Sequence, residues 1–141
     1  MKSDEELKKY FKIFVDKNEI INLVVLVIEK ESECNVRMIE IVSETLEEIF
    51  RENPQKIYNL LVDISPVGNI GSYAFPSKAR KTAVQIASHK QVRKAAFIAT
   101  SLFVKTVIGF IITAAGKGKN IKGFSDKEEA MSWLKGGEKQ N

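Results

Sequence analysis

Between Phe11 and Phe124 the chain alternates between two kinds of apolar pattern, and that alternation narrows the folds open to it. Short runs of Val, Ile and Leu are separated by longer segments whose apolar residues recur every three or four positions. "KYFKIFVDKNEIINLVVLVIEKE" reads as two strands around the polar turn Asp16-Lys17-Asn18-Glu19, the second so evenly apolar that it belongs inside a sheet. Val36, Ile39, Val42, Leu46, Ile49 and Phe50 then mark an amphipathic helix with Glu40, Glu44, Glu47 and Glu48 outside, stopped near Asn53-Pro54. "KIYNLLVDI" (56–64) is a third strand. Pro76 falls in the first turn of a second helix, whose apolar stripe is Ala79, Ala83, Ile86, Ala87 and Val92. "KAAFIAT" (94–100) is a fourth strand, and Ser101 caps "LFVKTVIGFIITAA", a helix so apolar that most of its circumference should be covered before Gly116 to Gly118 end it. "NIKGF" makes an edge strand, after which Ser125 and Glu128 form a capping box ahead of Ala130, Trp133 and Leu134. The order ββαβαβαβα is a hairpin followed by crossover units, which makes the fold α/β with a mixed β-sheet of about five strands.

At 141 residues the chain fits a single domain, 1–141, with an ordered core of about 10–135. Cys34 is the one cysteine, so neither an internal disulfide nor a CxxC site is available. The N-terminal "MKSDEELKKYFK" carries no apolar signal core, and the runs 20–28 and 106–116 are shorter than the ~20 residues of a spanning helix, so the expected setting is the cytoplasm. Charge is divided unevenly. Residues 1–70 hold 9 Lys/Arg against 14 Asp/Glu, and residues 71–141 hold 13 against 4. Ten basic residues lie between Asp63 and Asp126 with no carboxylate among them.

Common chemistries fall away on residue supply. His89 is the sole histidine and sits among Ser88, Lys90 and Arg93 near a helix end, where it is expected to be solvated, so a Ser-His-Asp or Cys-His site has no favourable imidazole. The carboxylates cluster on solvent faces and predict no metal site. "GKGKN" (116–120) lacks the phosphate-loop pattern, with Thr113 where a Gly and Asn120 where a Ser or Thr is needed; Gly68 and Gly71 stand outside any GxGxxG. No cofactor is expected, and the reading is non-enzymatic.

What remains is the loop after the third strand, at the carboxyl end where open α/β sheets gather ligands. Asp63, Ser65, Gly68, Gly71, Ser72 and Tyr73 form it, and Lys78, Arg80 and Lys81 follow on the next helix. Asp63, Ser65 and Ser72 have the chemistry to hold a turn through side-chain to backbone hydrogen bonds. A phosphate on Ser72 would alternatively sit near the positive end of the helix, within reach of those cations.

"VDISPVGNIGSYA" (62–74) resembles the STAS-domain signature of anti-sigma-factor antagonists, an Asp-x-Ser turn followed by an Asp-Ser-Ser-Gly motif at the next helix. "KAAFIATSLFVKTVIGFII" with "IKGFSDKEEAMSWL" is similar to the C-terminal half of the SpoIIAA-like group, which closes in Ala-x-x-Trp-Leu. The resemblance implies a SpoIIAA-like (STAS) mixed sheet with helices packed mainly on one face, and a role in binding and regulation. It implies that Ser72 matches the Ser phosphorylated by a partner kinase, while Gly71, Tyr73 and Ala74 replace the motif's Asp, second Ser and Gly.

The leading expectation is therefore a regulatory module that binds a protein partner through this loop and the helix after it. The alternative is an apolar small molecule or anionic lipid, as in the similar CRAL-TRIO carriers, met by Phe75, Phe103, Val107, Phe110 and Ile111 with Lys105, Lys117, Lys119 and Lys122 at a membrane surface; the same apolar face would also serve a homodimer. Nucleic acid ranks lowest, because no aromatic platform is interleaved with the basic residues.

Overall fold

The hairpin that opens the sheet is set by its turn. In the computed structural model, which describes residues 2–116 and 120–136 apart from the Ser72 side chain, Asp16 Oδ1 accepts from the backbone N–H of Asn18 (2.8 Å) and Ile20 (3.1 Å), and Glu19 takes a positive φ of 62°. Strands β1 (Phe11–Val15) and β2 (Ile20–Val25) pair antiparallel across it. Three crossovers then add β3 (Tyr58–Asp63), β4 (Val92–Ile98) and β5 (Ile121–Phe124), each parallel to its predecessor, in the spatial order β1-β2-β3-β4-β5. Crossovers of one hand that always step the same way across a sheet must place their helices on one face. Helices α2 (Ser32–Glu52), α3 (Ser77–Ala87) and α4 (Leu102–Ala115) accordingly share a layer, with α3 between the other two. A mixed five-stranded sheet with its helices mainly on one face is the arrangement expected from the sequence.

The main core lies between that layer and the sheet. Met38, Ile41, Val42, Leu46 and Phe50 of α2 meet Ile21, Leu23, Leu60 and Val62, and each such side chain contributes ~1.5–3 kcal/mol on full burial. A short N-terminal helix, α1 (Asp4–Leu7), was not foreseen. Its signal was present, since Ser3 and Glu6 make a reciprocal capping box and Leu7 is wholly buried. On the opposite face α5 (Lys127–Leu134) lays Ala130, Trp133 and Leu134 over Ile20, Leu61, Ala96 and Ile98. Its last carbonyls are taken by side chains from the sheet: Asn59 Nδ2 donates to Leu134 O (2.9 Å) and Lys94 Nζ to Trp133 O (3.1 Å).

Several local expectations are corrected. Asp126, not Ser125, caps α5, accepting from Glu128 N at 3.0 Å. Pro76 is the residue before α3 instead of its first turn, and Val92 opens β4, so it leaves the helical stripe. His89 is not simply solvated. Its ring stacks on Phe50 with centroids 3.9 Å apart, Nδ1 accepts from Gln91 N (3.1 Å), and Nε2 faces Glu47 Oε2 at 3.4 Å. The adjacent Gln91, 5% exposed, points its amide into the end of α2, where Nε2 serves the carbonyls of Phe50, Asn53 and Lys56, each at 3.1 Å. Among the described residues α4 is covered along one stripe instead of around most of its circumference: Val104, Val107, Ile108 and Ile111 are buried, whereas Leu102 and Phe110 are 80% and 54% exposed. One stripe of four aliphatic residues is enough to seat a helix on a sheet.

Candidate functional site

At the carboxyl end of β3 the chain leaves the sheet through a turn that Asp63 builds for itself. Asp63 Oδ1 accepts from Ser65 N (3.0 Å) and from Ser65 Oγ (2.6 Å), while Ile64 N still donates to Ile98 O of the neighbouring strand (2.9 Å). The Asp63 carboxylate therefore holds backbone, and the Ser65 hydroxyl in turn holds that carboxylate. A 3-10 turn over Ser65–Val67 ends at Gly68, whose φ of 63° and ψ of −137° are nearly confined to glycine. A second 3-10 turn, Ser72–Ala74, follows, closed by Ala74 N donating to Gly71 O (3.1 Å). Gly71 has a contact reason to be small, because a Cβ there would stand 3.3 Å from the Tyr73 ring.

The far end of the loop is tied to α2. Tyr73 O accepts from Ser32 Oγ (3.1 Å) and from Asn35 Nδ2 (3.2 Å). Asn35, 2% exposed, also accepts from Glu29 N (3.0 Å) and donates to Glu29 O (2.8 Å), so one side chain joins the loop after β3 to the segment between β2 and α2. Sequence reasoning missed it. The available signal was a lone amide on the buried stripe that runs from Cys34 through Met38 and Val42. Beside it Tyr10 donates to Glu29, and that hydrogen bond pushes the Tyr10 phenol up to about 12.

The predicted cations do not converge on one point. Lys78 and Lys81 are exposed on α3, but Arg80 turns toward α4, its guanidinium 5.7 Å from the centre of the Phe110 ring. Ser72 lies in the 3-10 turn, with Phe75 and Pro76 between that turn and α3; its side chain is outside the described residues, as are Lys117 and Lys119. Lys122 lies over Phe124, which packs with Trp133 beneath α5, so it does not extend the α4 face.

The five predicted apolar-site residues also divide. Phe75, Val107 and Ile111, with Met38, Val62, Ile64 and Phe97, line a cavity of about 50 Å³ under the loop. That is far below the roughly 300–1,000 Å³ of small-molecule sites. Phe103 packs half-buried against the core, and Phe110 stands outside. Among the described residues no group of three or more His, Cys, Asp or Glu is arranged to hold a metal ion, and no helix is long and apolar enough to cross a membrane.

A family described as "Domain of unknown function (DUF7793)" matches residues 13–137, from β1 through α5. The chain belongs to the DUF7793 family. No curated protein matches this DUF7793 chain. Among solved structures it is similar to an uncharacterized protein of the DUF3478 family with a SpoIIAA-like fold from Shewanella loihica PV-4. The two share 14% identity with a TM-score of 0.57, over 88% of this chain and 91% of the other. That likeness shows the fold, which DUF7793 here shares with SpoIIAA-like proteins.

Proposed function

We propose that this DUF7793 chain is a non-enzymatic STAS-like regulatory module that recognises a protein partner through the loop from Ile64 to Pro76 and the outer face of α3. The observation that carries the reading is the way the loop is held. It is fixed at one end by Asp63 and at the other by Asn35 and Ser32, yet Pro66 and Asn69 between those anchors are exposed, at the carboxyl end of a parallel strand. A surface held in one shape binds with little ordering cost. Lys78 and Lys81 beside it favour a partner with an acidic patch. The reading sets the protein in a reducing cytoplasm, where the buried Cys34 thiol is preserved.

The test is crosslinking in the native cell followed by co-purification, comparing wild type with Ser72→Glu and with Lys78→Glu/Lys81→Glu. A partner held by this surface is retained by wild type and lost from the double Lys variant, while Phe14→Ser on the distant edge strand keeps it. If no crosslinked protein depends on these positions, the reading fails.

A further inference from the structure

Helix α4 carries a second surface that the fold does not use. Its buried stripe faces the sheet, and the opposite stripe reads Leu102, Lys105, Thr106, Gly109, Phe110 and Thr113, all exposed and spaced at three and four residues. Leu102 and Phe110 are separated by just over two turns, ~12 Å along the axis. Thr106 and Gly109 between them are small, so the helix can lie close against a flat surface with two apolar side chains projecting.

The surrounding charge identifies what kind of surface. Lys105 lies on the stripe itself, the Arg80 guanidinium lies 5.7 Å from the centre of the Phe110 ring, and Lys78 and Lys81 are exposed on the neighbouring α3. Neither α3 nor α4 contains a carboxylate. The acidic residues of these three helices, Glu33, Glu40, Glu44, Glu47, Glu48 and Glu52, are all on α2, beyond α3 from this face. A second copy meeting α4 with its own α4 would oppose like charges. A bilayer containing anionic lipid supplies negative charge and an apolar interior together, and long cationic side chains reach its head groups while their stems stay with the apolar residues.

We propose that the outer face of α4 docks DUF7793 on anionic membrane surfaces, lying in the interface with Leu102 and Phe110 inserted and Lys105, Arg80, Lys78 and Lys81 against the head groups. The two surfaces share Lys78 and Lys81, but the decisive residues here, Leu102, Lys105 and Phe110, are on α4, and the test changes neither residues 64–76 nor those two lysines.

Sedimentation with vesicles of equal parts phosphatidylcholine and phosphatidylserine, against phosphatidylcholine alone, reads it directly. Wild type should bind the anionic vesicles only and release as salt is raised. Phe110→Ser should weaken partitioning roughly tenfold, and Lys105→Glu at least about fivefold. Both side chains are exposed, so the far-ultraviolet circular dichroism of the variants should match wild type; Lys105→Glu decides alone should Phe110→Ser disturb the fold. Phe14→Ser, on β1, should bind as wild type does. Equal binding to neutral vesicles, no binding to either, or variants that bind undiminished would overturn the proposal. So would a dimer in light scattering that Phe110→Ser converts to monomer while vesicle binding stays at wild-type level.

Discussion

Replacing Asn35 with Ala removes three hydrogen bonds from one buried point, and the structure lets the loss be apportioned. Glu29 loses partners for both its N–H and its carbonyl, whereas Tyr73 O retains Ser32 Oγ. Each net hydrogen bond contributes about 1 kcal/mol, and an orphaned buried group costs about 1–3 kcal/mol. Glu29 is half-buried and recovers part of this from water, so the expected total is ~2–3 kcal/mol, or a roughly 30- to 150-fold shift in the unfolding equilibrium. Urea denaturation measures the total. Limited proteolysis measures the local part, and cleavage between residues 64 and 76 should become faster than the global loss explains. Asn35→Asp sharpens the test, because it keeps the acceptor for Glu29 N but turns a carboxylate toward the carbonyls of Glu29 and Tyr73. Burial and those dipoles raise the carboxyl's folded-state pKa above its unfolded value, so the Asp variant should fall below the Ala variant at neutral pH and regain stability as pH drops and the acid protonates. An Ala variant within about 0.5 kcal/mol of wild type, with unchanged loop proteolysis, would refute the claim that Asn35 bolts the loop in place.

Other outcomes follow from the same geometry. Gln91→Leu strands the carbonyls of Phe50 and Lys56 at the end of α2, leaves Asn53 O with the Lys56 N–H alone, and should lower stability by ~2–3 kcal/mol, read from thermal unfolding. Gly68→Ala should cost about 1 kcal/mol or more although a Cβ there meets nothing within 4 Å, because the strain is in the backbone; a neutral result would mean the loop conformation is easily changed. Tyr10 should ionise later than an ordinary tyrosine in an ultraviolet titration, near its value of about 12, and Glu29→Gln should shorten the delay without removing the part due to burial. Its raised pKa favours the protonated phenol in the folded state, so the associated stability is present below pH 10 and is lost as pH rises toward 12.

The order of elements was readable because each strand and helix carries its own period, and the 102–115 helix was placed to the residue by Ser101 at one end and Gly116 at the other. One-sided packing followed once the sheet was known to grow in one direction. What escaped reading were contacts between segments far apart in sequence. Asn35 meets Tyr73 across 38 residues, and Gln91 meets Phe50 across 41, and neither spacing leaves a periodic trace. His89 shows the same limit, since its stacking on Phe50 depends on how α2 ends near the start of β4. At the candidate site, the Asp63–Ser65 turn was legible as local chemistry, whereas the turning of Arg80 to Phe110 depended on the packing of α3 against α4.

A sheet laid down in the order its strands are translated has a consequence for synthesis. As the chain emerges, each new strand finds the edge left by the one before it, so pairing need never wait for a distant segment or displace an earlier partner. The layer of α2, α3 and α4 closes over its face as it is made. The other face has no such progress: Ile20, Leu61, Ala96 and Ile98, contributed by three strands, remain uncovered until α5 has left the ribosome. The nascent protein therefore carries a finished side and an adhesive one, and Trp133 and Leu134 end its exposure to chaperones and to neighbouring chains on the polysome.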